Sequence, residues 1–228
     1  MTRFALVLAC MSSTAYAGSV KGTVLFEGEP PTQEALKRDS DPKCSKGKTD
    51  EAVVVTKGKL RDVVVRIKNG TAGKHTAPTT PVVLDQKDCM YTPRVAGIVA
   101  GQKLVVKNSD NTFHNVWGQV ANKDVFNKPQ GPKAADLSLD PSAAKPGDVV
   151  ELKCGVHGWM HAYVSVQDHP FFAVTASDGT FLIKDLPKGT YELEAWHPTL
   201  GTKSMKIEIG KNKRADVTAR FSYKATEL

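Results

Sequence analysis

The stretch Pro146–Val166, "PGDVVELKCGVHGWMHAYVSV", decides the fold. Pro146-Gly147-Asp148 reads as a turn. Val149–Lys153 and His161–Val166 then alternate in polarity, as two half-buried strands do, and a loop of seven residues joins them. That loop, "CGVHGWM", sets a thiol (Cys154), an imidazole (His157) and a thioether (Met160) three residues apart. Gly155 and Gly158 between them leave the backbone free to aim all three side chains inward.

Working outward, short runs rich in Val and Ile recur between turn signals: "SVKGTVLFEG", "EAVVV", "LRDVVVRIKNG", "TTPVVLD" and "RVAGIVAGQKLVVKNSD". Each has strand length and is bounded by Gly, Pro, Asn or Asp. Extended helical patterns are absent, so an all-β fold is expected, built as a sandwich with Greek-key connections. Two segments interrupt the rhythm. Residues 32–50 are polar and charged, and residues 119–146 hold Pro129, Pro132, Pro141 and Pro146 with few strand signals; long loops of this kind are usually functional or mobile. From Asp168 a second rhythm begins: "FFAVTAS", an Asp-Gly turn, "TFLIKDLP", a Pro-Lys-Gly turn, "TYELEAWHP" and two more alternating runs. Five short strands in about sixty residues make a smaller sandwich, so the predicted domains are residues 18–168 and 169–228.

Residues 1–17 carry one Arg, a short apolar run and Ala15-Tyr16-Ala17, the pattern of a cleaved export signal. A soluble product in the periplasm or outside the cell is expected, since no stretch approaches the ~20 apolar residues of a membrane span. Removing the signal takes Arg3 and Cys10 with it. It leaves 30 basic against 24 acidic side chains, a net charge of +6. The basic residues form no dense run and no interleaving with aromatics, which gives nucleic-acid binding no support. Three cysteines remain, an odd number for an oxidising compartment. Cys154 has the metal-ligand neighbours, so Cys44 and Cys89 are the expected disulfide.

Forty residues before Cys154 stands His114, in "KLVVKNSDNTFHNVWG", just after a strongly apolar strand. Two imidazoles and one thiolate with a weaker axial Met form the donor set of blue copper electron-transfer sites. Zinc is a poorer match, because thioether is not among its usual ligands and structural zinc usually takes more than one Cys. Trp117 and Trp159 are candidates for an apolar shell that excludes water. On "NSDNTFHNV" and "PGDVVELKCGVHGWMHAYVSV" the chain resembles the cupredoxin, or blue copper, family over residues 95–167, with the Cys-x2-His-x2-Met spacing of amicyanin-type members. The resemblance implies one type 1 copper held by His114, Cys154, His157 and Met160. It implies that Asn115 ties the two ligand-bearing segments together by hydrogen bonding. It further implies outer-sphere electron transfer with an unidentified redox protein, His157 being the ligand nearest solvent. His161 follows Met160 directly and is the alternative axial ligand; on an alternating strand the two point to opposite faces.

The closing region carries Asp178-Gly179-x-Phe181-x-Ile183, Leu186-Pro187-x-Gly189-x-Tyr191-x-Leu193-x-Ala195. It resembles the carboxypeptidase regulatory-like domain, a transthyretin-like β-sandwich related to a module of rhamnogalacturonan lyases. That resemblance implies a packing or spacer module, or, through Trp196 or Tyr223, a surface for envelope glycan. His75 reads as a solvated loop residue, His169 as a junction residue and His197 as a turn residue. The rival to the electron carrier is therefore a glycan-binding or structural module whose metal is structural or absent. A copper-dependent enzyme, which needs an open coordination position, is the third reading.

Overall fold

In the computed structural model residues 17–44, 47–69, 71, 73–210 and 216–228 are described. The export-signal reading lies outside them, save for Ala17. The described residues are all-β apart from a 3-10 turn at Ala225–Glu227. None of their helices is long and apolar enough to cross a membrane.

Four strands come first: β1 (Ala17–Glu27), β2 (Val55–Thr56), β3 (Lys59–Leu60) and β4 (Val64–Asn69). Nine follow: β5 (Val82–Lys87), β6 (Met90–Thr92), β7 (Val95–Val99), β8 (Leu104–Asn108), β9 (His114–Val120), β10 (Lys123–Gln130), β11 (Leu137–Leu139), β12 (Val149–Lys153) and β13 (His161–Gln167). Five close the chain: β14 (Phe172–Val174), β15 (Thr180–Pro187), β16 (Gly189–His197), β17 (Gly201–Ile209) and β18 (Val217–Lys224).

The middle nine strands form one sandwich, with sheets in the order β10-β9-β12-β13-β7 and β11-β8-β5-β6. The chain passes repeatedly from sheet to sheet, and the β7–β13 and β5–β8 pairs are parallel, which gives the crossed connections of a Greek key. Alternate residues of both sheets, among them Leu84, Ile98, Val106, Val116, Leu152 and Val164, meet in one core. The first four and last five strands form a second sandwich. One sheet runs β15-β1-β3-β2 with β18 also on β1, and the other runs β14-β4-β16-β17. Its core joins Val20, Val24 and Ile67 from the start of the chain to Ile183, Leu193 and Phe221 from the end.

The expected division at residue 168 is thereby corrected. Val20–Glu27 runs parallel to Val217–Lys224, and Val64–Ile67 pairs with Leu193–Trp196. The second sandwich is thus a frame of residues 17–69 and 172–224 into which the first is inserted. A strand's own alternation says which face is buried but not which distant strand completes its ladder. Residues 119–146, expected as loop, contain β10 and β11. β10 tolerates Pro129 because it is the edge strand of its sheet, where one side of the backbone has no ladder to lose. The expected strand in "EAVVV" shrinks to Val55–Thr56. The five closing strands fall where the alternation puts them. Between β14 and β15, Asp178 Oδ1 accepts from the Thr180 N–H at 3.0 Å and Gly179 takes φ +68°, the turn expected of Asp-Gly.

Candidate metal centre

β12 ends at Lys153, opposite His161, the first residue of β13. The seven residues between them cap this hairpin, tightened by a hydrogen bond from the Met160 N–H to the His157 carbonyl at 2.9 Å. β9 runs beside β12, with Trp117 opposite Lys153, so its first residue, His114, comes to the mouth of the same loop. Asn115 locks the two segments: its Oδ1 accepts the Gly155 N–H at 2.6 Å, and a Cβ on residue 155 would lie 3.3 Å from that oxygen. Gly155 is therefore needed for close approach rather than for a left-handed backbone; neither it nor Gly158 has positive φ.

The result is a convergent donor set. His114 Nδ1 and His157 Nδ1 lie 2.9 Å apart, and Cys154 Sγ is 3.8 Å from each. All three residues are buried. Two bonds of about 2.0–2.3 Å meeting at one ion hold their donor atoms roughly 3–4 Å apart, so the set has the dimensions of a single metal site. Met160 is fully buried in the same core as Cys154. His161 turns outward: Nδ1 meets Glu151 Oε1 at 3.1 Å and Nε2 the Gly158 carbonyl at 3.1 Å. The alternation expected of residues 160 and 161 holds, and only the thioether faces inward.

Each imidazole is oriented from behind by a carboxylate. His114 Nε2 donates to Asp110 Oδ2 at 2.9 Å, and His157 Nε2 donates to Asp41 Oδ2 at 3.0 Å. With Nε2 so occupied, Nδ1 is the nitrogen each ring offers to a ligand, the arrangement that metal-binding histidines commonly adopt. Asp110 is itself fixed by the backbone N–H groups of Asp88 at 2.7 Å and Cys89 at 2.8 Å. Those two residues form the tip of the β5–β6 hairpin in left-handed conformations, φ +55° and +52°. Non-glycine residues accept that conformation at about 1 kcal/mol each or more, and here it aims both N–H groups at one carboxylate. Asn108 shapes the loop that carries Asp110: its Nδ2 donates to the carbonyls of Thr112 at 3.0 Å and Gly131 at 2.8 Å, and its Oδ1 accepts the Asp110 N–H.

Electrostatics match this geometry. Burial raises the Cys154 thiol, but hydrogen bonds from His114 and from the backbone of Asn115, Val156 and His157 outweigh it and bring its pKa below the usual thiol range. Burial alone would lower the pKa of His114, yet Asp110 and Cys154 hold it up to about 9. For His157 burial dominates, followed by the opposed effects of Asp41 and the neighbouring His114, and its pKa is lowered.

Cys44 and Cys89 form the expected disulfide. Closing a loop with a sequence separation of 45 restricts the unfolded chain by about 4 kcal/mol in the entropic account. Trp159 is the expected shell residue, its ring centroid 5.1 Å from that of His157. Trp117 is not: it alternates with the buried His114 and Val116 along β9, its Nε1–H donates to Asp124, and Lys153 lies over its ring. The expectation that His157 is the solvent-side ligand is also corrected. It is 1% exposed, because Asp41 from the polar segment 32–50 covers its outer edge. Sequence reasoning missed Asp41, Asp110 and Arg38. Asp110, four residues before His114, had a local signal in its spacing; Asp41, 116 residues from His157, had none.

Tyr223 is wholly buried, its hydroxyl donating to the Ala195 carbonyl at 2.9 Å with the Gly201 carbonyl also within reach at 3.1 Å, so it offers no platform for a sugar. Trp196 is half-buried against Tyr163 of the inserted sandwich, ring centroids 6.2 Å apart. His169 is the buried junction residue expected, with Nε2 donating to the Ile67 carbonyl at 2.7 Å. His75 departs from the solvated reading by packing edge-on against Phe171.

The family model for the β-sandwich domain of ER membrane protein complex subunit 7 matches residues 158–227, the end of the insert and the closing strands of the frame. No curated protein sequence matches the chain. Among solved structures, the chain is similar to a purple cupredoxin from Nitrosopumilus maritimus, at 21% identity over 38% of this chain and 99% of that one, with a TM-score of 0.33. It is similar to an oxidised amicyanin mutant at 20% identity over 38% of this chain and 82% of that one, TM-score 0.34. A copper-containing nitrite reductase from Thermus scotoductus is similar at 18% identity over 42% of this chain and 24% of that one, TM-score 0.34.

Proposed function

We propose that the chain is an exported electron carrier with one type 1 copper ion, which His114, Cys154 and His157 would hold together with Met160. The observation that carries this reading is the convergence of two Nδ1 atoms and one Sγ within 3.8 Å of one another, in a core that also buries a thioether. Two imidazoles, a single thiolate and a thioether suit copper better than zinc. Copper bound there supplies a one-electron couple between its +1 and +2 states.

The chain's contribution is preorganisation. Asp110 and Asp41 fix the two rings, Asn115 fixes the loop against β9, and Trp159 and the surrounding core keep water out. Donors anchored in this way move little when the charge at the centre changes, which is what rapid outer-sphere exchange with a redox protein requires. Four donors supplied by the protein leave no position for a substrate, so we read the chain as a carrier rather than a catalyst. The Cys44–Cys89 disulfide supports an oxidising compartment, the periplasm or the exterior. The packing of Trp196 on Tyr163 and the burial of Tyr223 favour a scaffold role for the frame over glycan binding.

Metal analysis with an absorption spectrum of the full chain tests this reading. One copper per chain and an intense visible thiolate-to-copper band, absent from Cys154→Ser, are expected. A chain that stays colourless when saturated with copper, or a band that survives the substitution, would overturn it.

A further inference from the structure

His157 is 1% exposed although its loop neighbours Gly155, Val156 and Gly158 all face solvent, with Val156 53% exposed. Its burial comes from elsewhere in the chain, from the segment of residues 34–44 between β1 and β2. The base of this segment is closed on itself, Leu36 N–H donating to the Lys48 carbonyl at 2.9 Å and Asp50 N–H to the Glu34 carbonyl at 2.8 Å. Its far end is pinned by the Cys44–Cys89 disulfide, whose sulfurs lie within 4.8 Å of a ring nitrogen of His157. In between, Asp41 Oδ1 accepts the Lys43 N–H at 2.8 Å. Asp41 Oδ2 accepts both the Thr112 hydroxyl at 2.6 Å and His157 Nε2–H at 3.0 Å. Thr112 lies two residues before His114, so one carboxylate joins the segments that carry both histidines.

Arg38 of the same strap lies over Trp159, 5.5 Å from the ring centroid, and donates to the Asp88 carbonyl. It is 4% exposed, and its Nε and Nη1 have no partner. A buried guanidinium with two unanswered donors opposes closure. The contacts of Asp41 and the covalent tie at Cys44 therefore hold the strap down against that cost.

We propose that this strap, supplied by the frame, caps the metal centre of the insert, and that Asp41 is the residue that positions His157 and closes its outer edge to solvent. The metal half of this inference rests on the copper reading, but the cap itself does not. The consequence is that metal ions and electron-transfer partners meet the strap rather than the bare imidazole edge.

The test uses the full-length, metal-free, disulfide-intact protein and follows carbethoxylation by diethyl pyrocarbonate at each histidine by mass spectrometry. In the wild type His157 is expected to react as slowly as buried His114 and much more slowly than His161. Asp41→Ala should raise the His157 rate about tenfold while His114 stays protected, a factor in keeping with the loss of one charge-assisted hydrogen bond. Asp41→Asn, whose amide oxygen still accepts from Nε2, should restore most of the protection. Thr112→Val, which removes one anchor of Asp41, should give a smaller rise of the same sign and serves if Asp41→Ala does not fold. A wild-type His157 as reactive as His161, or protection unchanged across these folded variants, overturns the cap. In parallel, Cu(II) uptake by metal-free Asp41→Ala should be faster than by the wild type. A wild type that takes up no copper defeats the copper reading, while the carbethoxylation result still decides the cap.

Discussion

At the scale of single residues, position in the sequence and role in the structure agree where the chemistry is local. Cys154, His157 and Met160 are legible because their spacing on one loop is itself the signal, and Asn115 because it follows His114 directly. Asp41 is not legible, since a carboxylate in a polar segment looks the same whether it faces water or an imidazole. His197 shows the same limit. It reads as a turn residue, yet it is buried, with Nδ1 accepting the N–H groups of Thr199 and Leu200 at 3.2 Å each. Burial, aided by the charge of Arg94, pushes its pKa down to about 4. The sign of the pH dependence follows from this depression. The neutral ring is native, so its contribution is complete above the unfolded value near 6.5 and is lost as pH falls through that value towards 4, by about 3 kcal/mol in all. Thermal unfolding from pH 7 to 4 should therefore show a steeper loss of stability in the wild type than in His197→Asn, whose side-chain oxygen can accept the same two N–H groups. Parallel curves would show that His197 does not carry this dependence.

At the scale of elements, strands with clean alternation were placed well by the sequence, as β12, β13, β15 and β16 show. β10 was hidden by Pro129, because a proline argues against a strand unless the strand is known to lie at an edge. The contact between the sandwiches was hidden for a different reason: it depends on a residue with no side chain. Gly97 on β7 faces Phe172 on β14, and a Cβ at position 97 would fall 2.3 Å from the Phe172 ring. Gly97→Ala must push that ring aside, so it should destabilise the protein by about 1–3 kcal/mol, the usual range for overpacking. Gly155→Ala should cost less, since its nearest foreign atom, Asn115 Oδ1, is 3.3 Å away. Denaturant unfolding of both variants measures the difference, and equal stability of Gly97→Ala and wild type would contradict the packing of β7 on β14.

At the scale of the whole molecule, an all-β chain of two sandwiches was expected and is found, but their connection is nested rather than serial. Composition and alternation are alike in both sandwiches, so no shift in pattern marks where the chain leaves the frame or returns to it. The central position of β1, with β18 on one side and β15 and β3 on the other, makes the start of the chain part of the last sheet. Residues 169–228 expressed alone lack β1 and β4 and should remain unfolded by circular dichroism and amide exchange. A cooperative unfolding transition in that fragment would restore the serial division. Nesting also explains how the frame reaches the metal centre, since the segment leaving β1 crosses to the insert before returning to β2. The claim on which this description of the centre depends is that His114, Cys154 and His157 bind one ion together. Copper K-edge X-ray absorption of the loaded full-length protein tests it most directly. A shell of two nitrogens and one short sulfur, with the sulfur missing in Cys154→Ser, is the expected result. A wild-type shell of nitrogen and oxygen alone would contradict it.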